Sequence, residues 1–122
     1  MANAAYTSTI AGQVSTQRHD LVLDTGTSIN LPGSSTLIDQ ITIDNTANSA
    51  ITYLRLFNNA TPTSGGNNPD IIFPCAASST ADYTIDPGVT FATALSVAVA
   101  QEAGTGGATA PSNSVTVVIL TH

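Results

Sequence analysis

Thr36-Leu37-Ile38-Asp39-Gln40-Ile41-Thr42-Ile43-Asp44 alternates apolar and polar residues: Leu37, Ile41 and Ile43 fall on one face, Gln40, Thr42 and Asp44 on the other. A helix would repeat nearer every third or fourth residue, so this stretch predicts a β-strand with one face on a core. Asn45 to Ser49, all polar or small, then reads as a loop. The strand predicted after it, Ile51 to Phe57, is apolar on both faces, with Ile51, Tyr53 and Phe57 on one and Leu54 and Leu56 on the other. Such a strand belongs in the middle of a sheet.

The same grammar of short apolar runs cut by turn residues continues in both directions. Upstream, Leu21 to Leu23 ends at Asp24-Thr25-Gly26, and Ile29 and Leu31 precede Pro32-Gly33. Downstream, Asn58 to Pro69 is too polar and too broken by Pro and Gly to pair, and is expected to be a loop. Asp70 to Phe73, ended by Pro74, and Ala81 to Ile85, ended by Asp86-Pro87-Gly88, predict short strands suited to a sheet edge. Val89, Phe91, Leu95, Val97 and Val99 share odd positions and predict one long alternating strand. Gln101 to Asn113 is a second loop, rich in Gly, Ala, Thr and Ser, and Val115 to Leu120 a closing strand. No segment predicts a helix. The whole predicts an all-β chain, an antiparallel β-sandwich of seven to nine strands with jelly-roll or immunoglobulin-like topology.

Met1 to His19 lacks this rhythm, scattering Tyr6, Ile10 and Val14 among Thr, Ser, Ala and Gln. It is expected to form an extended N-terminal arm (1–19) to a single sandwich domain (20–122), packing along its own domain or reaching a neighbouring subunit. Tyr6, Ile10 and Val14 are its candidate subunit or capsid contacts.

Composition narrows function. Apolar residues make up 42% of the 122, but aromatics only 5%, so the core should be thin and aliphatic. Charged residues are 8%, far below the usual quarter of a soluble domain, which leaves Thr, Ser, Asn, Gly and Ala to cover the surface. The net charge is −6, with Arg18 and Arg55 the only basic side chains. Neither nucleic acid nor an anionic membrane surface is an expected partner, since both are held by clustered Lys and Arg. No signal peptide is expected, because the first twenty residues contain neither a cationic stretch nor a continuous apolar run. Cys75 has no intramolecular disulfide partner and reads as a small buried hydrophobe.

Candidate chemistry is sparse. Leu21-Val22-Leu23-Asp24-Thr25-Gly26-Thr27 resembles the catalytic loop of aspartic proteases, in which two carboxylates share a proton. Those enzymes also carry a later apolar pair followed by glycine, whereas Ile71-Ile72 here is followed by Phe73-Pro74, so Asp24-Thr25-Gly26 is read as a turn. His19 and His122 lie at opposite ends of the sequence and are expected to face solvent; Asp82 and Asp86 near a turn are a weak hint of calcium. Neither a Gly-x-Ser-x-Gly elbow nor a glycine-rich phosphate loop occurs. The expectation is a non-enzymatic protein with no catalytic residues, cofactor or required metal.

Two stretches carry a resemblance. Ile51-Thr52-Tyr53-Leu54-Arg55-Leu56-Phe57-Asn58-Asn59-Ala60-Thr61-Pro62 and Pro87-Gly88-Val89-Thr90-Phe91-Ala92-Thr93-Ala94-Leu95-Ser96-Val97-Ala98-Val99 resemble recurring segments of small β-sandwich structural proteins of tailed bacteriophages, with Ala94 where the pattern has glycine. The likeness spans about the last eighty residues. It implies a virion structural protein made in the host cytoplasm and carried on the capsid surface. The favoured form is a decoration or cement protein that contacts the major capsid protein and itself, as a homo-oligomer with a trimer the expected form. A tail, neck or fibre component is the alternative the resemblance leaves open. A carbohydrate-binding β-sandwich module is a third, and would need exposed aromatics.

Overall fold

The computed structural model describes residues 4–9, 17–24, 29–30, 36–63, 66–104 and 106–121. These form nine strands, all paired antiparallel: β1 (Ala4–Thr9), β2 (Gln17–Leu23), β3 (Ile29–Asn30), β4 (Thr36–Asp44), β5 (Thr52–Phe57), β6 (Ile71–Cys75), β7 (Thr80–Phe91), β8 (Ser96–Ala100) and β9 (Val115–Thr121). They make a β-sandwich with a five-stranded sheet, β1-β2-β9-β4-β7, facing a four-stranded sheet, β3-β8-β5-β6.

The pairing settles the topology. β2 lies against β9, β3 against β8, β4 against β7 and β5 against β6, and from β2 to β9 every connection crosses between the sheets except the one from β5 to β6. A long antiparallel ribbon folded in this way is a jelly roll, with β1 added at the edge next to β2. The loops gather at two ends. One end holds those after β4, β6 and β8, and the other those after β5 and β7.

The core fills the space between sheets with aliphatic side chains, including Leu21, Leu23, Ile41, Ile43, Leu54 and Val117. Each alternates with an outward residue, and β9 is the clearest case, with Val115, Val117, Ile119 and Thr121 inward. Cys75 is buried as expected, and burial pushes its thiol pKa up.

Four differences from the sequence reading have physical causes. In β4 the inward set is Ile38, Ile41 and Ile43, with Leu37 only half-buried, because the pairing shifts register between Ile38 and Gln40. One extra residue in a strand reverses the alternation beyond it. The long strand predicted from Val89 to Val99 is two strands in different sheets: Phe91 ends β7, and β8 begins at Ser96. Phe91 and Leu95 both point into the core, so the odd-position pattern survives the crossing. The bend is held by Asn58 Oδ1, which accepts the Thr93 and Ala94 N–H groups at 2.9 and 3.3 Å.

The turn expected at Asp86-Pro87-Gly88 lies within β7, which runs on to Phe91, and Pro74 lies within β6. Both strands are sheet edges, where a missing N–H is tolerated. Gly88 has φ of 112°, and a Cβ there would sit 3.0 Å from Leu37 Cγ and 3.1 Å from Ile38 O, so this kink requires glycine. Finally, Ala4–Thr9 of the expected arm is an edge strand, and the boundary drawn between His19 and Asp20 falls inside β2. Polar β-branched residues such as Thr7 and Thr9 suit a strand without producing an apolar rhythm.

Candidate functional site

The outer face of the five-stranded sheet carries a shallow depression of about 290 Å³, lined by Arg18 of β2, Gln40 and Thr42 of β4, and Val118 and Leu120 of β9. The register places these residues side by side, Arg18 opposite Leu120 and Leu120 opposite Gln40. Val22, Val118 and Leu120 are each half-buried on a face that β-sandwiches usually cover with polar groups. The polar rim is already engaged. Arg18 forms an ion pair with Asp20 at 3.0 Å, both about half exposed, and Thr42 Oγ1 donates to Asp82 Oδ1 at 2.8 Å. A depression that sets Val118 and Leu120 beside Arg18 and Thr42, both already bonded to neighbours, suits burial against a broad partner better than capture of a charged small molecule.

Arg55, the other basic residue, does not face solvent. It is buried on the outer side of β5, opposite Ala98 of β8, whose small side chain leaves it room. Its Nη2 donates to the carbonyls of Glu102 and Gly104, both at 2.5 Å. Burial pulls its pKa down, and the Glu102 carboxylate opposes that. Glu102 Oε1 in turn accepts the Thr109 N–H at 2.8 Å, which holds the Glu102 carboxyl below its ordinary value. The Gly-rich loop after β8 is thereby strapped to the outer side of the four-stranded sheet at Arg55, and Ala98, opposite Arg55, and Ala100 are buried although they face outward, while Ser96 Oγ donates instead to Asn59 O at 2.6 Å. A Cβ at Gly107 would collide with Glu102 and touch Arg55 Nη2 at 3.0 Å, so the strap lies close.

A buried polar hub pins the loops at one end of the sandwich. Asn45 Nδ2 donates to the carbonyls of Ala50, Cys75 and Ala76, while its Oδ1 accepts from Asn48 Nδ2 at 2.9 Å and Thr52 Oγ1 at 3.0 Å. Asn48 extends the hub to the last loop, donating to Asn113 O and accepting the Asn113 N–H.

The residues singled out from sequence are dispersed. Tyr6 stands opposite Asp20 in the β1–β2 pairing, while Ile10 and Val14 lie outside the described residues, as does His122. Asp24 directly follows β2. Asp82 accepts from Thr42, and among the described residues no group of three or more His, Cys, Asp or Glu is placed to hold a metal. No described helix is long and apolar enough to cross a membrane.

His19 corrects the expectation of a solvent-facing side chain: it is fully buried, with Nε2 2.8 Å from Thr121 Oγ1 across to β9. It shares the inward phase of Leu21 and Leu23, which the strand alternation carries back to it. Burial pulls its pKa below the ordinary 6.5, and the adjacent Asp20 only partly opposes this. The unfolded chain therefore takes up the proton first, so stability is fully present above pH 6.5 and falls as pH drops below it. Thermal melts from pH 7.5 to 5 should show a falling Tm in the wild-type chain and a flatter profile in His19→Gln. A wild-type Tm constant over that range would show that His19 protonates freely in the fold.

No protein-family model matches the chain, and no curated protein matches it.

Proposed function

We propose that the chain is a structural protein of a tailed-phage particle, most concretely a capsid decoration or cement protein that binds the major capsid protein through the outer face of its five-stranded sheet. The observation that carries this reading is the half-buried row of Val22, Val118 and Leu120 around the Arg18–Asp20 pair. An apolar row gains free energy when a flat partner covers it, and Arg18 and Asp20 beside it are paired with each other, so neither has to be desolvated alone. Two further features support it. Jelly rolls recur in viral capsid proteins, although the fold alone assigns no function. The resemblance of the Ile51–Pro62 and Pro87–Val99 segments points to the same class of particle.

Purified chain mixed with phage capsids stripped of their surface protein should co-sediment with them saturably. Leu120→Asp leaves the core untouched and should weaken that binding at least ~10-fold, equivalent to about 1.4 kcal/mol, which is within what the burial of one leucine side chain supplies. Wild-type chain that stays in the supernatant, or a Leu120→Asp variant that binds as well as wild type, would contradict the reading. Binding to tails but not to capsids would move the chain elsewhere on the particle.

A further inference from the structure

A two-sheet sandwich has four edge strands, and three of them here are blunted. The described part of β3 is two residues long. β6 is five residues long and contains Pro74, which lacks a donor. β7 carries Asp82, Asp86 and Pro87, with the kink at Gly88. These are the devices by which sheet edges avoid pairing with other chains. β1 has none of them: Ala4-Ala5-Tyr6-Thr7-Ser8-Thr9 contains neither charge nor proline, and among the described strands only β2 pairs with it.

Charge points the same way. At the β7 side of the five-stranded sheet, Asp39 and Asp44 on β4 join Asp82 and Asp86 on β7. At the β1 side, the charges on β2 are Arg18 and Asp20, paired with each other. Two copies meeting at β7 repel, whereas two copies meeting at β1 bring no like charges together at the seam. Joining β1 to β7 would set an uncharged strand against one with Pro87 and would leave an open-ended chain instead of a closed assembly.

We propose that β1 of one copy pairs antiparallel with β1 of a second copy about a two-fold axis normal to the sheet, making the two five-stranded sheets continuous. Residues directly opposite one another share a sheet face, and a two-fold normal to the sheet keeps both outer faces on the same side. The register therefore sets positions of equal parity against each other. Two such registers overlap equally over β1, Tyr6 opposite Tyr6 with Ala4 opposite Ser8, and Thr7 opposite Thr7 with Ala5 opposite Thr9; the first sets two aromatic residues opposite each other, the more stabilising cross-strand pair. The assembly is two-fold, unlike the trimer expected from the resemblance, and it does not depend on which larger partner the chain binds.

Light scattering on the full chain should give twice the 12.3 kDa monomer mass. Tyr6→Lys sets two lysines face to face across the axis while placing each opposite Asp20 of its own β2, so it should give a monomer with unchanged β-sheet circular dichroism. Tyr6→Cys should form a disulfide-linked dimer under mild oxidation. Opposite positions in an antiparallel pair lie about 4.5 to 5.5 Å apart, within disulfide reach, and Cys75 is too deeply buried to compete. A wild-type chain that is monomeric at every concentration would overturn the proposal. So would an oligomer that persists in Tyr6→Lys together with a Tyr6→Cys chain that does not cross-link. A Tyr6→Lys monomer that still sediments with capsids upholds the pairing and shows it to be separate from capsid binding. A wild-type dimer that ignores capsids upholds the pairing and removes the capsid reading.

Discussion

Asn45→Asp should destabilise the fold by about 3 to 5 kcal/mol, although it changes no side-chain volume. The Asn45 amide is fully buried, and its NH₂ faces the carbonyl oxygens of Ala50, Cys75 and Ala76 at 3.0, 3.3 and 3.1 Å. Replacing that donor with a carboxylate oxygen sets acceptor against three acceptors, or forces the new acid to stay protonated at neutral pH. A domain of this size commonly has only about 5 to 15 kcal/mol of stability, so the loss should bring the urea midpoint down by roughly a fifth or more. Asn45→Ala removes the donor without adding charge and should cost less. Equal urea midpoints for wild type and Asn45→Asp would mean that the hub does not hold the loops.

Arg55→Met should lower stability by about 2 to 4 kcal/mol and release the strap formed by the loop after β8. Methionine keeps much of the aliphatic stem but none of the donors, so the carbonyls of Glu102 and Gly104 lose their partner. Loss of the strap uncovers Ala98 and Ala100, which are too small to form an apolar surface of their own. Hydrogen exchange should therefore speed up at Gln101, whose N–H bonds Thr109 O, and at Thr109, whose N–H bonds Glu102 Oε1. Exchange that stays slow in both places would show that the loop holds its position without the guanidinium.

Much of the fold is written in local periodicity. Val115 to Leu120 and Ile41 to Ile43 declare strands because their inward residues are large and aliphatic, and a sandwich follows from the number of such runs. The strand order is not written locally. β2 meets β9 almost a chain length away, and nothing in Leu21 to Leu23 names Val115 to Val117 as its partners. The crossing between β7 and β8 is hidden for the same reason, since the residue that fixes the bend is Asn58, from a different loop.

The candidate surface was less legible than the fold. Val118 and Leu120 read as part of an aliphatic closing strand, and only the sheet pairing shows that they face outward beside Arg18. Arg55 gave one usable signal, a lone cation between Leu54 and Leu56 in a strand apolar on both faces that has to be covered, but only the fold shows that the loop after β8 covers it. The Asn45 hub gave none, because Asn45, Asn48 and Asn113 look like ordinary loop residues until the fold collects them.

The most direct test of a capsid-surface role is a cryo-electron microscopy map of stripped phage capsids after addition of the purified chain. Sandwich-shaped density on the outer shell, with the five-stranded sheet and its Val118–Leu120 row turned toward the major capsid protein, is the predicted result. Bare capsids, or density that meets the shell through another face and leaves Val118 and Leu120 in solvent, would contradict it.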